Sequence, residues 1–289
     1  MTLLRDVTRW LLHRGDAWAV TLVICLLAQV LHDEVTGWGV ALSLAVAAMY
    51  LFGYAVNDYF DASDDADDPA KVGLNVFVDH PVSKRAFMVG VLVTIAAVVA
   101  VMARWGLRGL GAFALYFVVM WSYSSPPFRF KHVPGLDLAM HAAFALTYPY
   151  AVCLWLLDLD VGARDVLILV LLFLFSLSGQ LEQQLRDIEA DALTGRTFAT
   201  AVGRRVATSV LRMSMVGVVV VAVVALVAVD IPWGVLPAVI LTLPTIAFRL
   251  GVWRVESRPA VFVRALVVGA LVYGVAVVSW AAASGGGWA

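Results

Sequence analysis

Long apolar runs alternate with short polar connections along the whole chain. The runs fall at about 17–32, 37–56, 86–103, 109–123, 136–157, 165–182, 207–229, 232–248 and 260–282. A helix needs roughly 20 apolar residues to cross the hydrocarbon layer, so this spacing predicts about nine transmembrane helices, the third and fourth closely joined. The longest polar connections, roughly 57–85 and 184–205, are too short to bury a core of their own. Residues 1–289 therefore read as one all-α integral membrane domain.

Composition removes the soluble alternative. The chain is 62% hydrophobic and 14% charged, with a mean hydropathy of +0.91, and lacks the polar surface that a soluble globule of this length would need. Leu3 to His13 can form a short amphipathic helix on the membrane surface. No small-residue cleavage site follows it, so the N-terminus is expected to be retained. An N-terminus in the cytoplasm places Arg5, Arg9, Arg14, Lys71, Lys84, Arg85, Arg129, Lys131, Arg186, Arg196, Arg204, Arg205, Arg249, Arg254 and Arg258 on the inner side. Arg104, Arg108 and Arg164 are left outside, with Arg212 and Arg264 just within inner helix ends. That bias predicts an inner N-terminus and an outer C-terminus. Net charge, at −1, adds nothing about partners, and no nucleic acid is expected. Cys25 and Cys153 fall inside apolar runs and read as buried small residues rather than a disulfide or a nucleophile.

The candidate chemistry begins where the second apolar run ends. Asp58, Asp61, Asp64, Asp65, Asp67 and Asp68 crowd into one stretch. On a helix, Asp58, Asp61 and Asp65 project from one face. Clustered carboxylates repel unless cations lie between them, and hard oxygen donors favour Mg2+ or Ca2+, with phosphate oxygens completing a Mg2+ shell. A solvated acidic loop is the alternative, and Asp67 and Asp68 fit it. The segment Gln183 to Asp191 aligns with Asn57 to Asp65, pairing Gln184 with Asp58, Asp61 with Asp187 and Asp65 with Asp191. Each copy follows an even-numbered span, which suggests an internal pseudo-repeat whose halves face each other across a central cavity. A third connection, Tyr123 to His132, carries Pro126 and Pro127, which stop a helix, followed by Arg129 and Lys131. These cations suit neutralisation of a leaving diphosphate, or serve as plain positive-inside anchors.

The pattern resembles the UbiA superfamily of intramembrane prenyltransferases, which carry an NDxxDxxxD motif after the second helix and a DxxxD motif after the sixth. Here the first is Asn57, Asp58, Asp61 and Asp65, and the second is Asp187 and Asp191, followed by Gly195, Thr197 and Gly203 in the family's spacing. Tyr123 to Lys131 resembles the family's Tyr and Lys motif. The resemblance implies Asp58, Asp61, Asp65, Asp187 and Asp191 as Mg2+ ligands and Tyr123, Arg129 and Lys131 as catalytic groups. It further implies Asn57, Lys84, Arg85, Gln184, Arg186 and Arg196 as substrate-binding groups. Two departures stand out. Gln184 replaces an Asp found in many relatives, and the connection Asn75 to Arg85 lacks their Arg-Pro pair, leaving Lys71, Lys84 or Arg85 to supply that charge.

The implied reaction ionises an allylic isoprenyl diphosphate and delivers the prenyl group to a lipophilic acceptor within the membrane lipid. Apolar helices would shield the carbocation from water. Aromatic residues such as Tyr50, Tyr54, Tyr59, Trp121, Tyr148 and Tyr150 line the cavity or belong to interfacial belts. Gln180 and His141, polar groups within spans, line the cavity or make interhelical hydrogen bonds. Glu182 reads as a snorkelling surface carboxylate. A terpene cyclase of the same superfamily needs no acceptor and is the second reading. A cation transporter is the third, disfavoured because the acids gather at one membrane face.

Overall fold

The computed structural model describes residues 2–66, 75–229 and 260–283, together with Ile240, Leu243, Ile246, Ala247 and Arg249 to Gly251. Among the described residues every regular element is helical. An amphipathic helix α1 (Thr2–His13) leads into α2 (Gly15–Val30) and the long α3 (Gly37–Asp65), which carries the first acidic motif on its last turns. A single turn α4 (Val76–Asp79) precedes α5 (Lys84–Met102) and α6 (Gly106–Ser124). Then come α7 (Leu136–Ala142), a π-helical turn (Ala143–Thr147) and α8 (Tyr148–Leu156), which together make one span. The second half holds α9 (Ala163–Arg186), the short α10 (Ile188–Thr194) and α11 (Phe198–Val202), then α12 (Arg204–Ala228) and α13 (Ala260–Ala283).

Each predicted apolar run except the one at 232–248 is occupied by a helix. Most of that run, with Asp67, Asp68 and Lys71, lies outside the described residues. The bilayer supplies no hydrogen-bond partners, so an apolar run of spanning length must satisfy its own backbone as a helix. The stretch Lys84–Ser124 is apolar over 41 residues, twice what one crossing needs. It folds back at the 3-10 turn Ala103–Trp105, and α5 packs against α6. Gly109 makes the return possible: a Cβ there would lie 2.0 Å from the Met102 carbonyl oxygen.

The helices close into a bundle. α2 lies against α3, α8 and α13; α3 against α5 and α6; α9 against α7 and α12. A cluster of Leu138, Leu181, Leu185, Ala199, Ala207 and Leu211 sits beneath the second acidic motif and ties α7, α9, α11 and α12 together. Val56, Phe87 and Val91, with Tyr59, Phe60 and Trp121 around them, do the same beneath the first. Tyr59 stacks on Phe87 at 3.7 Å. Tyr59 therefore serves packing between α3 and α5. Tyr150 is fully buried and donates to Asp165 (2.7 Å), so it too belongs to the scaffold.

Candidate active site

Each element of the site stops where a local signal ends its helix. α6 stops at Ser124, before the two prolines, and the chain turns through Arg129, whose φ of 43° is an uncommon left-handed conformation for a side-chain-bearing residue. This turn throws Arg129 and Lys131 onto the end of α3. Arg129 Nη2 donates to Asp61 Oδ1 (2.9 Å) and lies 3.5 Å from Asp64 Oδ2. The Lys131 ammonium donates to Asp61 Oδ2, and to Asn57 Oδ1 (3.2 Å), which also accepts from Ser124 Oγ (3.1 Å). Burial pulls the Lys131 ammonium below its ordinary pKa, while the neighbouring Asp61 carboxylate pulls it back up.

Tyr123 lies at the top of α6 and accepts a hydrogen bond from Gln180 Nε2 (3.1 Å). A phenol that accepts one hydrogen bond keeps its own O–H as a donor. Asp187 marks the break between α9 and α10, and Asp191 follows one turn later. Arg186 Nε pairs with Asp187 Oδ1 (3.0 Å) at the exposed end of α9. His141 holds Ser176 through Nδ1 (3.2 Å), one turn of α9 below Gln180. The two intramembrane polar groups thus make interhelical bonds.

Several predicted site residues are placed elsewhere. Asp58 is 1% exposed, and its carboxylate is turned into the protein. It accepts from Trp10 Nε1 (2.7 Å) and from Arg14 Nη2 (2.9 and 3.0 Å), anchoring α1 and α2. In this arrangement Asp58, expected as a metal ligand, has its carboxylate engaged as an anchor for the α1–α2 junction. Gln184 is likewise sealed: Nε2 donates to Asp137 Oδ2 (2.6 Å) and Oε1 accepts from Ala199 N (3.0 Å). Its amide, expected to bind substrate, is engaged within the protein at 2% exposure. Lys84 and Arg85 are exposed on the first turn of α5 and make no polar contact with the motifs among the described residues, and Arg196 is exposed between α10 and α11. Glu182 is no snorkelling surface group, because it pairs with Arg249 (2.6 Å), whose side chain is 5% exposed.

Other site residues are not legible from spacing. Asn75 is 1% exposed and donates through Nδ2 to the Asp58 carbonyl (2.7 Å) and to Asp65 Oδ2 (2.8 Å). It thereby closes the connection after α3 back onto the first motif. Gly195 explains the glycine that follows the second motif: a Cβ there would lie 1.9 Å from His132 Nδ1. The basic turn is thus seated directly on the chain after Asp191. Burial, then the charges of Lys131 and Arg129, hold the His132 imidazole below its usual pKa.

Among the described residues no three Asp, Glu, His or Cys side chains converge as a ready metal cage. At the mouth, the motif-bearing end of the bundle, Asn57, Asp61 and Asp65 on the last turns of α3 and Asp187 and Asp191 at and just past the end of α9 supply oxygen ligands and no thiolate or imidazole. That donor set fits Mg2+, which takes one or two carboxylates and keeps places for water and phosphate oxygen.

The chain is similar to known proteins over most of its length. The family model described as the UbiA prenyltransferase family matches residues 17–267. Lycopene elongase/hydratase of Haloferax volcanii is 30% identical over 167 residues, 54% of this chain, and the match spans 50% of that protein's length. Digeranylgeranylglyceryl phosphate synthase of Methanopyrus kandleri is 29% identical over 221 residues, 73% of this chain and 74% of that protein. Solved structures of a UbiA homolog from Archaeoglobus fulgidus share the fold. The form bound to GPP and Mg2+ has a TM-score of 0.71 at 19% identity, and the form bound to DMAPP and Mg2+ 0.72 at 18%. Both cover 93% of this chain and 99% of that one.

Two substitutions check the placements. Gln184→Glu sets a second carboxylate against Asp137, across a contact now 2.6 Å long, with no cation to offset it. The variant should melt several degrees lower in detergent, with no gain in metal affinity; unchanged melting with tighter Mg2+ binding would mean that position 184 faces the metals. Gly195→Ala should displace His132 and with it Lys131, slowing turnover about tenfold or more. Adding His132→Ala should recover part of the loss, and a strictly additive double variant would show that the His132 contact does not position the turn.

Proposed function

The chain belongs to the UbiA prenyltransferase family, and we propose that it is a Mg2+-dependent enzyme that ionises an allylic isoprenyl diphosphate and transfers the prenyl group to a lipophilic acceptor. The observation that carries this reading is the convergence of Lys131 and Arg129 on Asp61 at the end of α3. Cations and a carboxylate set side by side are what a metal diphosphate needs from its protein. In this reading Asp61, Asp65, Asp187 and Asp191 would hold Mg2+, which would supply electrophilic stabilisation to the diphosphate oxygens. Lys131 and Arg129 bind the same oxygens, and Tyr123 donates its hydroxyl proton toward them. The bond between C1 and the diphosphate oxygen breaks with its electron pair going to the diphosphate. The apolar helices keep water from the allylic cation until an acceptor π-bond or hydroxyl oxygen attacks C1 and the acceptor loses a proton. The basic-residue bias of the sequence supports a cytoplasmic mouth, with the N-terminus inside and the C-terminus outside.

The relatives' names suggest two acceptor classes, a carotenoid and a glyceryl phosphate lipid. Purified protein should be given radiolabelled geranyl or dimethylallyl diphosphate with Mg2+, alone and with lycopene or a prenylated glyceryl phosphate lipid. Prenylated product should form only when an acceptor is present, and EDTA should abolish it. Cyclised hydrocarbon formed without any acceptor would replace the transferase reading with the cyclase, and turnover that survives exhaustive chelation would sink the metal assignment.

A further inference from the structure

Asp137 has the least accessible carboxylate near the site, at 0% exposure, and among the described residues no cation pairs with it. Four N–H groups hold it instead. Oδ1 accepts from Gly135 N (2.7 Å) and Leu138 N (2.8 Å), while Oδ2 accepts from Gln184 Nε2 (2.6 Å) and Phe198 N (2.8 Å). An ionised carboxylate has about four acceptor positions, and all are used. Burying an anion without a counter-cation is among the costlier things a fold can do. A residue that only filled space would not need the charge.

The four donors come from three segments, which the Asp137 carboxylate joins through one side chain. Gly135 and Leu138 follow the basic turn, with Lys131 only a few residues upstream. Gln184 is on the last turn of α9, three residues before Asp187. Phe198 opens α11, just past the loop that follows Asp191. Gln184 Oε1 accepts from Ala199 N and closes the ring. Resting on the functional reading above, we infer that Asp137 is a positioning residue: it fixes how far the leaving-group cations stand from the second carboxylate pair. Asparagine cannot replace it. With the side-chain oxygen kept on Gly135 and Leu138, the amide introduced by Asp137→Asn would meet two donors, Gln184 Nε2 and Phe198 N. Flipping Gln184 would only move the clash to Ala199 N.

The test uses Asp137→Asn and the charge-preserving Asp137→Glu, with Asp165→Asn as the control. Asp165 is 1% exposed at the opposite end of α9, where it accepts from Tyr150 Oη (2.7 Å), His32 Nε2 (3.0 Å) and Gly162 N (2.9 Å). A purely structural loss at either carboxylate lowers the melting temperature in the same way. Binding of inorganic pyrophosphate at saturating Mg2+ is measured by calorimetry on the full-length protein in detergent, at a temperature where helix content is native. Both Asp137 variants should weaken that binding about 10- to 100-fold, the range seen when outer-shell supports are lost, and Asp165→Asn should leave it unchanged. If Asp137→Asn fails to fold, Asp137→Glu decides. Wild-type affinity in the folded Asp137 variants, or an equal loss in Asp165→Asn, overturns the inference alone. If wild type takes up no pyrophosphate with Mg2+, the functional reading falls and the inference with it.

Discussion

Everything at the mouth of this bundle depends on Asp61 sharing its two oxygens between Lys131 and Arg129. The partners are 70 and 68 residues apart in sequence, so the pairing exists only because α3 and α6 run side by side and the prolines after α6 turn the chain back. At ~3 Å and an effective dielectric near 20, one such pair attracts by roughly 5 kcal/mol. Desolvating each ion costs several kcal/mol, so the net stabilisation is small. A nearly balanced pair can be opened by a better partner for each member. Mg2+ is the better partner for the carboxylate, and diphosphate for the cations. Charge pairing within the protein thus becomes protein–ligand pairing at little net cost.

The two acidic motifs are anchored by the same device. Asp58 and Gln184 occupy equivalent places, three residues before Asp61 and Asp187, and both turn inward to bind another part of the chain. Asp58 holds the α1–α2 junction through Trp10 and Arg14; Gln184 holds α7 and α11 through Asp137 and Ala199. The pseudo-repeat is therefore one of anchoring as much as of metal donors. An amide serves at position 184 because its partners there are a carboxylate and an N–H, whereas the Arg14 guanidinium at the first copy calls for an anion. Gln184 at this position thus follows from the polarity of its neighbours.

Hydropathy showed the helices because a bilayer leaves an apolar run no other conformation. The Asp61, Lys131 and Tyr123 positions were legible through the two motifs and the proline turn. The direction of Asp58 was not. At about 100° per residue, a position three residues before Asp61 lies roughly 60° off its axis, far enough for Trp10 and Arg14 to claim it from the flank. Asp137 gave no signal because a single Asp in a first helical turn reads as a favourable charge at a helix N-terminus. The Glu182–Arg249 and Asn75–Asp65 contacts need tertiary placement and have no spacing rule behind them.

On this account the carboxylate and the cations of the mouth change partners together. The most direct measurement is calorimetric titration of wild-type protein with Mg2+ at increasing concentrations of inorganic pyrophosphate, and the reverse, after subtracting their association in buffer. Each ligand should tighten the other by the same factor, at least about tenfold, as linkage requires, and Lys131→Ala should remove most of that coupling. Independent binding of the two ligands, or full coupling in Lys131→Ala, would contradict the account.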